Sequence, residues 1–113
     1  MAYHPLQNYV RTFRRRSGLT QKELAALLGV MSGGKISRYE RDSRFPPALT
    51  VFALEVIFSK PARDLFAGTY ASVRRTVRAR ARKLVRRLGR QPPDQRTARK
   101  LALLRAIVES KPN

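Results

Sequence analysis

Residues Ser17–Pro47 read SGLTQKELAALLGVMSGGKISRYERDSRFPP, and the placement of Thr20, Gly29, Ser32 and Pro46 within this stretch decides the fold. Thr20-Gln21-Lys22-Glu23 has the form of a capping box, in which the Thr20 hydroxyl and the Glu23 carboxylate each satisfy an orphan backbone N–H. Leu24, Leu27 and Leu28 follow as the apolar face of a short helix, and Gly29 stands where a left-handed residue ends it. After Val30-Met31, Ser32 caps a third helix that turns Ile36 and Tyr39 inward. Two short helices joined by such a turn form a helix-turn-helix unit.

The flanks read as helices too. On the N-terminal side, Pro5 suits a first helical position, Leu6, Tyr9, Val10 and Phe13 recur on one face, and Ser17-Gly18 ends the element. Arg14-Arg15-Arg16 at its end complement the helix dipole. On the C-terminal side, Pro46-Pro47 is a boundary, and Pro47 opens a fourth helix with Leu49, Phe52, Ala53 and Val56 inward. Ser59-Lys60-Pro61 restarts the chain for a short fifth helix through Leu65-Phe66, with Gly68 ending or loosening it. No strand is predicted, so the fold class is all-α: a five-helix domain over residues 1–68.

From Thr69 the character changes. Phe66, Tyr70, Val73, Val77, Ala81, Leu84 and Leu88 form one apolar stripe, surrounded by arginines and Lys83 with no acid among them. Gly89 to Pro93 breaks this helix, and a last one, capped by Asp94 or Thr97, carries Leu101, Leu104 and Val108 on one side. That last helix is expected to fold back antiparallel on the long one. Residues 69–113 thus read as a basic helical extension.

The net charge of +18 is unevenly spread: residues 1–68 carry 11 basic and 5 acidic side chains, residues 69–113 carry 14 and 2. Such an excess calls for a polyanionic partner, and nucleic acid is the commonest, because each neutralised phosphate releases condensed counterions. Charge alone does not separate DNA from RNA or from an anionic membrane.

Other functional classes find little support. There is no cysteine, hence no disulfide or cysteine-held zinc. No apolar run approaches the roughly 18 residues of a membrane span, and Met1 to Pro5 lack a signal-peptide pattern, so the expected location is cytoplasmic. His4 is the one histidine, the seven acids are scattered, and Gly33-Gly34-Lys35 lacks the upstream glycine of a phosphate loop. No catalytic residue, metal site or cofactor is expected.

The stretch from Ser17 to Pro47 resembles the phage-repressor/Cro family of helix-turn-helix regulators, also called the xenobiotic-response-element family. The resemblance rests on Gly18-Leu19-Thr20-Gln21, Glu23-Leu24-Ala25, Leu28-Gly29-Val30, Ile36-Ser37, Tyr39-Glu40-Arg41 and Pro46, and extends over about residues 6–67. It implies that Gln21 hydrogen-bonds a backbone phosphate and that bases are read from Gly33, Gly34 and Arg38. The glycines have no side chain, so Arg38 becomes the leading base reader, with guanine its expected target. Ser32, Lys35 and Ser37 are secondary candidates, and Arg41 and Arg44 suit phosphate contact. Glu40 and Arg14 occupy the family's positions for a partly buried ion pair; a surface pair is the other reading. One departure stands out: five residues, Met31 to Lys35, separate Val30 from Ile36 where the family pattern has four.

The implied function is a sequence-specific, double-stranded-DNA-binding transcriptional regulator, nucleoid-associated, repressing as a homodimer on a palindromic operator. An antitoxin that represses its own operon and a nonspecific architectural protein are the alternatives. For the basic extension three readings stay open: dimerisation with arginines on flanking phosphates, packing on its own last helix and on the globular domain, or folding only on nucleic acid.

Overall fold

A computed structural model of the chain describes residues 6–30, 32–92 and 94–110. The expectations placed on His4, Pro5, Met31 and Pro93 lie outside these residues. Seven helices follow in order among the described residues: α1 (Val10–Arg16), α2 (Gln21–Leu28), α3 (Gly33–Glu40), α4 (Ala48–Phe58), α5 (Ala62–Leu65), α6 (Ala67–Leu88) and α7 (Gln95–Glu109). The chain divides into two compact units, Met1–Tyr70 and Ala71–Asn113.

The first unit is built on a core of Val10, Leu24, Ala25, Ile36, Tyr39, Val51, Leu54, Leu65 and Phe66. Its helix ends follow the local chemistry of the sequence. The Thr20 hydroxyl accepts the Glu23 N–H at 3.0 Å, and Glu23 Oε1 accepts the Thr20 N–H at 2.9 Å. These bonds hold the Glu23 carboxyl below the usual carboxylate range. Gly29 closes α2 at φ 70°, and the Val30 N–H donates back to Ala25 O at 3.0 Å. Ala25 is buried, and its missing bulk lets α2 and α3 approach closely.

Residues 6–9 depart from the expected first helix. They are not helical, because their backbone groups are bonded elsewhere: Tyr9 N–H donates to Leu65 O at 2.6 Å, and Leu6 O accepts from Gly68 N–H at 2.9 Å. Leu6 is exposed as a result. Asn8 takes over the start of α1, its Oδ1 accepting the Val10 N–H at 3.2 Å while its Nδ2 donates to Tyr39 O at 3.0 Å and to Asp42. Asp42, with φ 60°, stops α3.

Gly68 corrects a second expectation. It neither ends α5 nor loosens a helix, but lies in the first turn of α6, where the Leu6-Gln7 backbone crosses it. A Cβ there would stand 2.7 Å from Gln7 Cα and 2.8 Å from Leu6 O.

The inward face of α4 also differs from the expected one. Val51 and Leu54 are buried, whereas Leu49, Phe52 and Val56 are 80%, 58% and 80% exposed. The segment ALTVFALEVIF is apolar nearly all round, so its periodicity cannot select a side and packing does.

In the second unit, α6 from Ala71 onward and α7 form an antiparallel hairpin around Ala81, Leu88 and Leu104, with Leu84, Val85, Leu101, Ile107 and Val108 packed against them. Asp94 caps α7, its Oδ1 accepting the Thr97 N–H at 2.6 Å, and this bond lowers the Asp94 carboxyl below its ordinary value. The expected stripe holds at Ala81, Leu84 and Leu88 but not toward the start of α6, where Val73 and Val77 are 55% and 43% exposed. Arg74 and Arg78 take the α7 side there: Arg74 Nη2 donates to Ser110 Oγ at 3.2 Å and Arg78 Nη2 to the Ser110 carbonyl. The carbonyls at the end of α7 need donors and favour positive charge, which guanidinium groups supply and valines do not.

Gly68→Ala is expected to destabilise the protein by about 1–3 kcal/mol, the range for forcing atoms into a packed site. Urea denaturation of the variant beside the parent chain measures it; an unchanged midpoint would contradict the crossing described.

Candidate nucleic-acid interface

The arrangement of α1, α2 and α3 depends on a buried charge pair. Arg14 Nε donates to Glu40 Oε2 at 2.6 Å and Arg14 Nη2 to Glu40 Oε1 at 3.2 Å, a two-point contact between α1 and α3. The side chains are 11% and 3% exposed, so the partly buried reading of this pair holds. Arg14 Nη1 also donates to Leu19 O at 2.9 Å, tying the loop before α2 to the same guanidinium. Gln21 Nε2 donates to Glu40 Oε1 at 3.2 Å, bringing in the first residue of α2.

Above this network lies a cleft of about 600 Å³. Arg11 and Arg15 reach it from α1, Thr20, Gln21 and Lys22 from the start of α2, and Ser37 and Arg41 from α3 and its C-terminus. Glu40, the acid that lines it, is already matched by Arg14, so the excess charge of the walls is positive. The N-terminus of α2 adds to the field. Its capping box satisfies Glu23 N–H, and the Gln21 and Lys22 N–H groups have no acceptor among the described residues. A cationic cleft beside free helix N–H groups is suited to holding phosphate oxygens.

The first turn of α3 packs against the same helix end. A Cβ on Gly33 would lie 3.3 Å from Gln21 Cβ and 3.5 Å from Lys22 N, so Gly33 is where the starts of α2 and α3 meet closely. Both Gly33 and Gly34 are helical, at a cost of about 1 kcal/mol each relative to alanine. Ser32 stands at the N-cap, but its hydroxyl makes no capping bond, which leaves the leading N–H groups of α3 open.

Ile36 and Tyr39 seat α3 on the core, and the opposite side faces outward. Gly34, Arg38 and Arg41 share that side at helical spacing, with Ser37, half-buried, at its edge toward the cleft. The Arg38 guanidinium is exposed and has no hydrogen-bond partner among the described residues; its carbonyl accepts from the Ser43 N–H and hydroxyl. Arg41 is exposed, its Nε donating to Ser37 O at 3.4 Å. Arg44 is exposed in the loop after α3. Lys35 is half-buried, off the centre of the outward side, and Gln21 is half-buried with one amide hydrogen committed to Glu40.

The structure thus gathers Gln21, Ser37 and Arg41 around one cleft, sets Gly33 against Gln21, puts Gly34 and Arg38 on the outward helix face, and leaves Lys35 and Arg44 at the margins. Arg11, Arg15 and Lys22 join the site only through the fold, since no motif in the sequence singles them out. A signal for two of them is present, because Arg11 and Arg15 are one helical turn apart and flank the inward Arg14.

A family model described as a helix-turn-helix domain matches residues 7–54, a span that begins before α1 and ends inside α4. No curated protein and no solved structure gives a match.

Replacing Arg14 by Met leaves Glu40 charged and buried without its partner, and is expected to destabilise the fold by about 3–5 kcal/mol. Replacing both residues with apolar side chains of similar size should cost clearly less. Chemical denaturation of the two single variants and the double variant measures this; a double loss equal to the sum of the single losses would mean that the pair is not coupled.

Proposed function

We propose that this chain, whose residues 7–54 match the helix-turn-helix domain model, is a sequence-specific regulator of transcription that places α3 in the major groove of double-stranded DNA. The observation that carries the reading is the outward side of α3, where the unpartnered Arg38 guanidinium stands beside an uncapped helix start and a cationic cleft. A guanidinium presented in this way matches the two acceptors on the major-groove edge of guanine. Gln21, Lys22 and Arg41 hold phosphates on one side of the groove, and Arg44 holds one on the other. Ser32, Lys35 and Ser37 lie close enough to the helix start to make supporting contacts. Gly33 and Gly34 act through backbone: they bring α3 against α2 and let the main chain approach the groove.

In this reading the protein is a repressor that occupies a palindromic operator as a homodimer. Val73 and Val77 on α6, one turn apart and exposed, are the apolar side chains that such self-association would cover. A nonspecific architectural role is the second reading, favoured by the net charge of +18.

Competition binding separates the two. A specific regulator selects one short site over random duplex by a thousandfold or more. Arg38→Ala should lower affinity for the selected site by roughly 1–3 kcal/mol and relax preference at one base position while leaving random duplex nearly unaffected. Unchanged preference would remove Arg38 as the base reader. Light scattering at tens of micromolar, with and without the selected duplex, should give twice the chain mass; a monomer in both cases would overturn the dimer.

A further inference from the structure

The cations of the second unit are too many, and too regularly placed, to be accounted for by the hairpin that carries them. From Leu65 to Pro93 there are nine basic residues and no acid. Arg74 and Arg78 are bonded to Ser110 at the end of α7, so they have a structural task. The others do not. Arg75, Arg80, Arg82, Lys83, Arg86 and Arg87 are all exposed, and none forms an ion pair among the described residues. At 100° per residue these six fall within an arc of about 160° on the side of α6 away from Ala81, Val85 and Leu88, which pack on α7. Along the axis they run from Arg75 to Arg87, about 18 Å at 1.5 Å per residue. That length matches roughly five nucleotide steps of one strand of a duplex.

This placement has a cost to the helix. Arg82 and Arg86, and Lys83 and Arg87, are like charges one turn apart, which weakens a helix rather than supporting it. The row therefore adds nothing to the stability of its own element, and its charge is free to meet a ligand. The ligand is also constrained. Residues 71–113 contain no Phe, Tyr or Trp, so the hairpin lacks the stacking platforms that single-stranded nucleic acid uses and the aromatic anchors of a membrane-surface helix. What the surface presents is point charges and guanidinium forks in a line, the complement of a phosphate backbone held at regular spacing.

We propose that the outer face of α6, from Arg75 to Arg87, is a second, sequence-independent binding surface for the phosphate backbone of duplex DNA. It supplies affinity and salt dependence, whereas α3 supplies selection of bases. The two functions are therefore separable by mutation.

The test is made on the full chain, with Arg82→Gln, Lys83→Gln, Arg86→Gln and Arg87→Gln combined. Binding to a random-sequence DNA duplex is followed by fluorescence anisotropy across a series of salt concentrations, beside thermal denaturation of the unbound protein. The slope of log affinity against log salt should fall by roughly 3 to 4, at about 0.9 for each phosphate that is no longer neutralised, while the thermal midpoint stays equal to or above that of the parent. An unchanged slope would overturn the proposal, as would a slope that disappears together with the fold. Tighter binding and a steeper slope on an RNA duplex of equal length would overturn the assignment to DNA. Because the probe has no selected site, the outcome does not depend on Arg38. A normal slope change with no base preference in the parent chain would sink the regulator reading and leave this surface standing.

Discussion

Arg14 and Glu40 form a two-point contact in a place nearly closed to water, and the geometry of the first unit is organised by it. A carboxylate in such a position is tolerable only when its oxygens are matched, and here the partners come from α1 and from the first residue of α2. The same guanidinium reaches the Leu19 carbonyl in the loop between those helices. Three helices are thereby oriented by one set of hydrogen bonds as well as by the packing of Leu24, Ala25 and Ile36. Apolar packing alone tolerates small slides and rotations; a buried pair does not, because any displacement leaves charge without a partner. The start of α2 and the outward side of α3 are fixed relative to each other for that reason.

That rigidity matters because the surface it supports has little covalent chemistry to offer. The cleft holds cations, amide N–H groups and hydroxyls, all of which recognise oxygen by position. Gly33 contributes by what it lacks: with no Cβ it lets α3 start against Gln21, so two electropositive helix ends act on one region. The loss of helix propensity at Gly33 and Gly34 is the cost of that approach. In the second unit a different balance operates. Arg74 and Arg78 complete the end of α7, while the cations on the far side of α6 are exposed and form no ion pair among the described residues.

Much of the first unit can be read directly from residues. The capping box at Thr20–Glu23, the left-handed Gly29 and the inward Ile36 and Tyr39 are local or short-period signals, and each is found where its chemistry puts it. Three features are not legible in this way. Asn8 and residues 6–9 look helical in isolation and are instead drawn into bonds with Tyr39, Leu65 and Gly68, some 30 to 60 positions away. The buried side of α4 is hidden from a periodicity reading because Leu49, Phe52 and Val56 are as apolar as Val51 and Leu54. The stripe on α6 fails at Val73 and Val77 because the far end of α7, with its carbonyls, claims arginines there.

The amino-acid sequence by itself determined the order of the helices, the capping box at Thr20 and Glu23, the cap at Asp94, the left-handed end of α2 at Gly29 and the excess of positive charge, since each of these depends on a residue and its near neighbours. Only the tertiary structure decided which faces are buried, that Arg14 and Glu40 meet, and that Arg11, Arg15, Lys22 and Arg41 share one cleft. Those outcomes depend on which surfaces meet across long stretches of chain, where many pairings satisfy the same apolar pattern and the buried polar groups, Arg14 and Glu40 above all, narrow the choice.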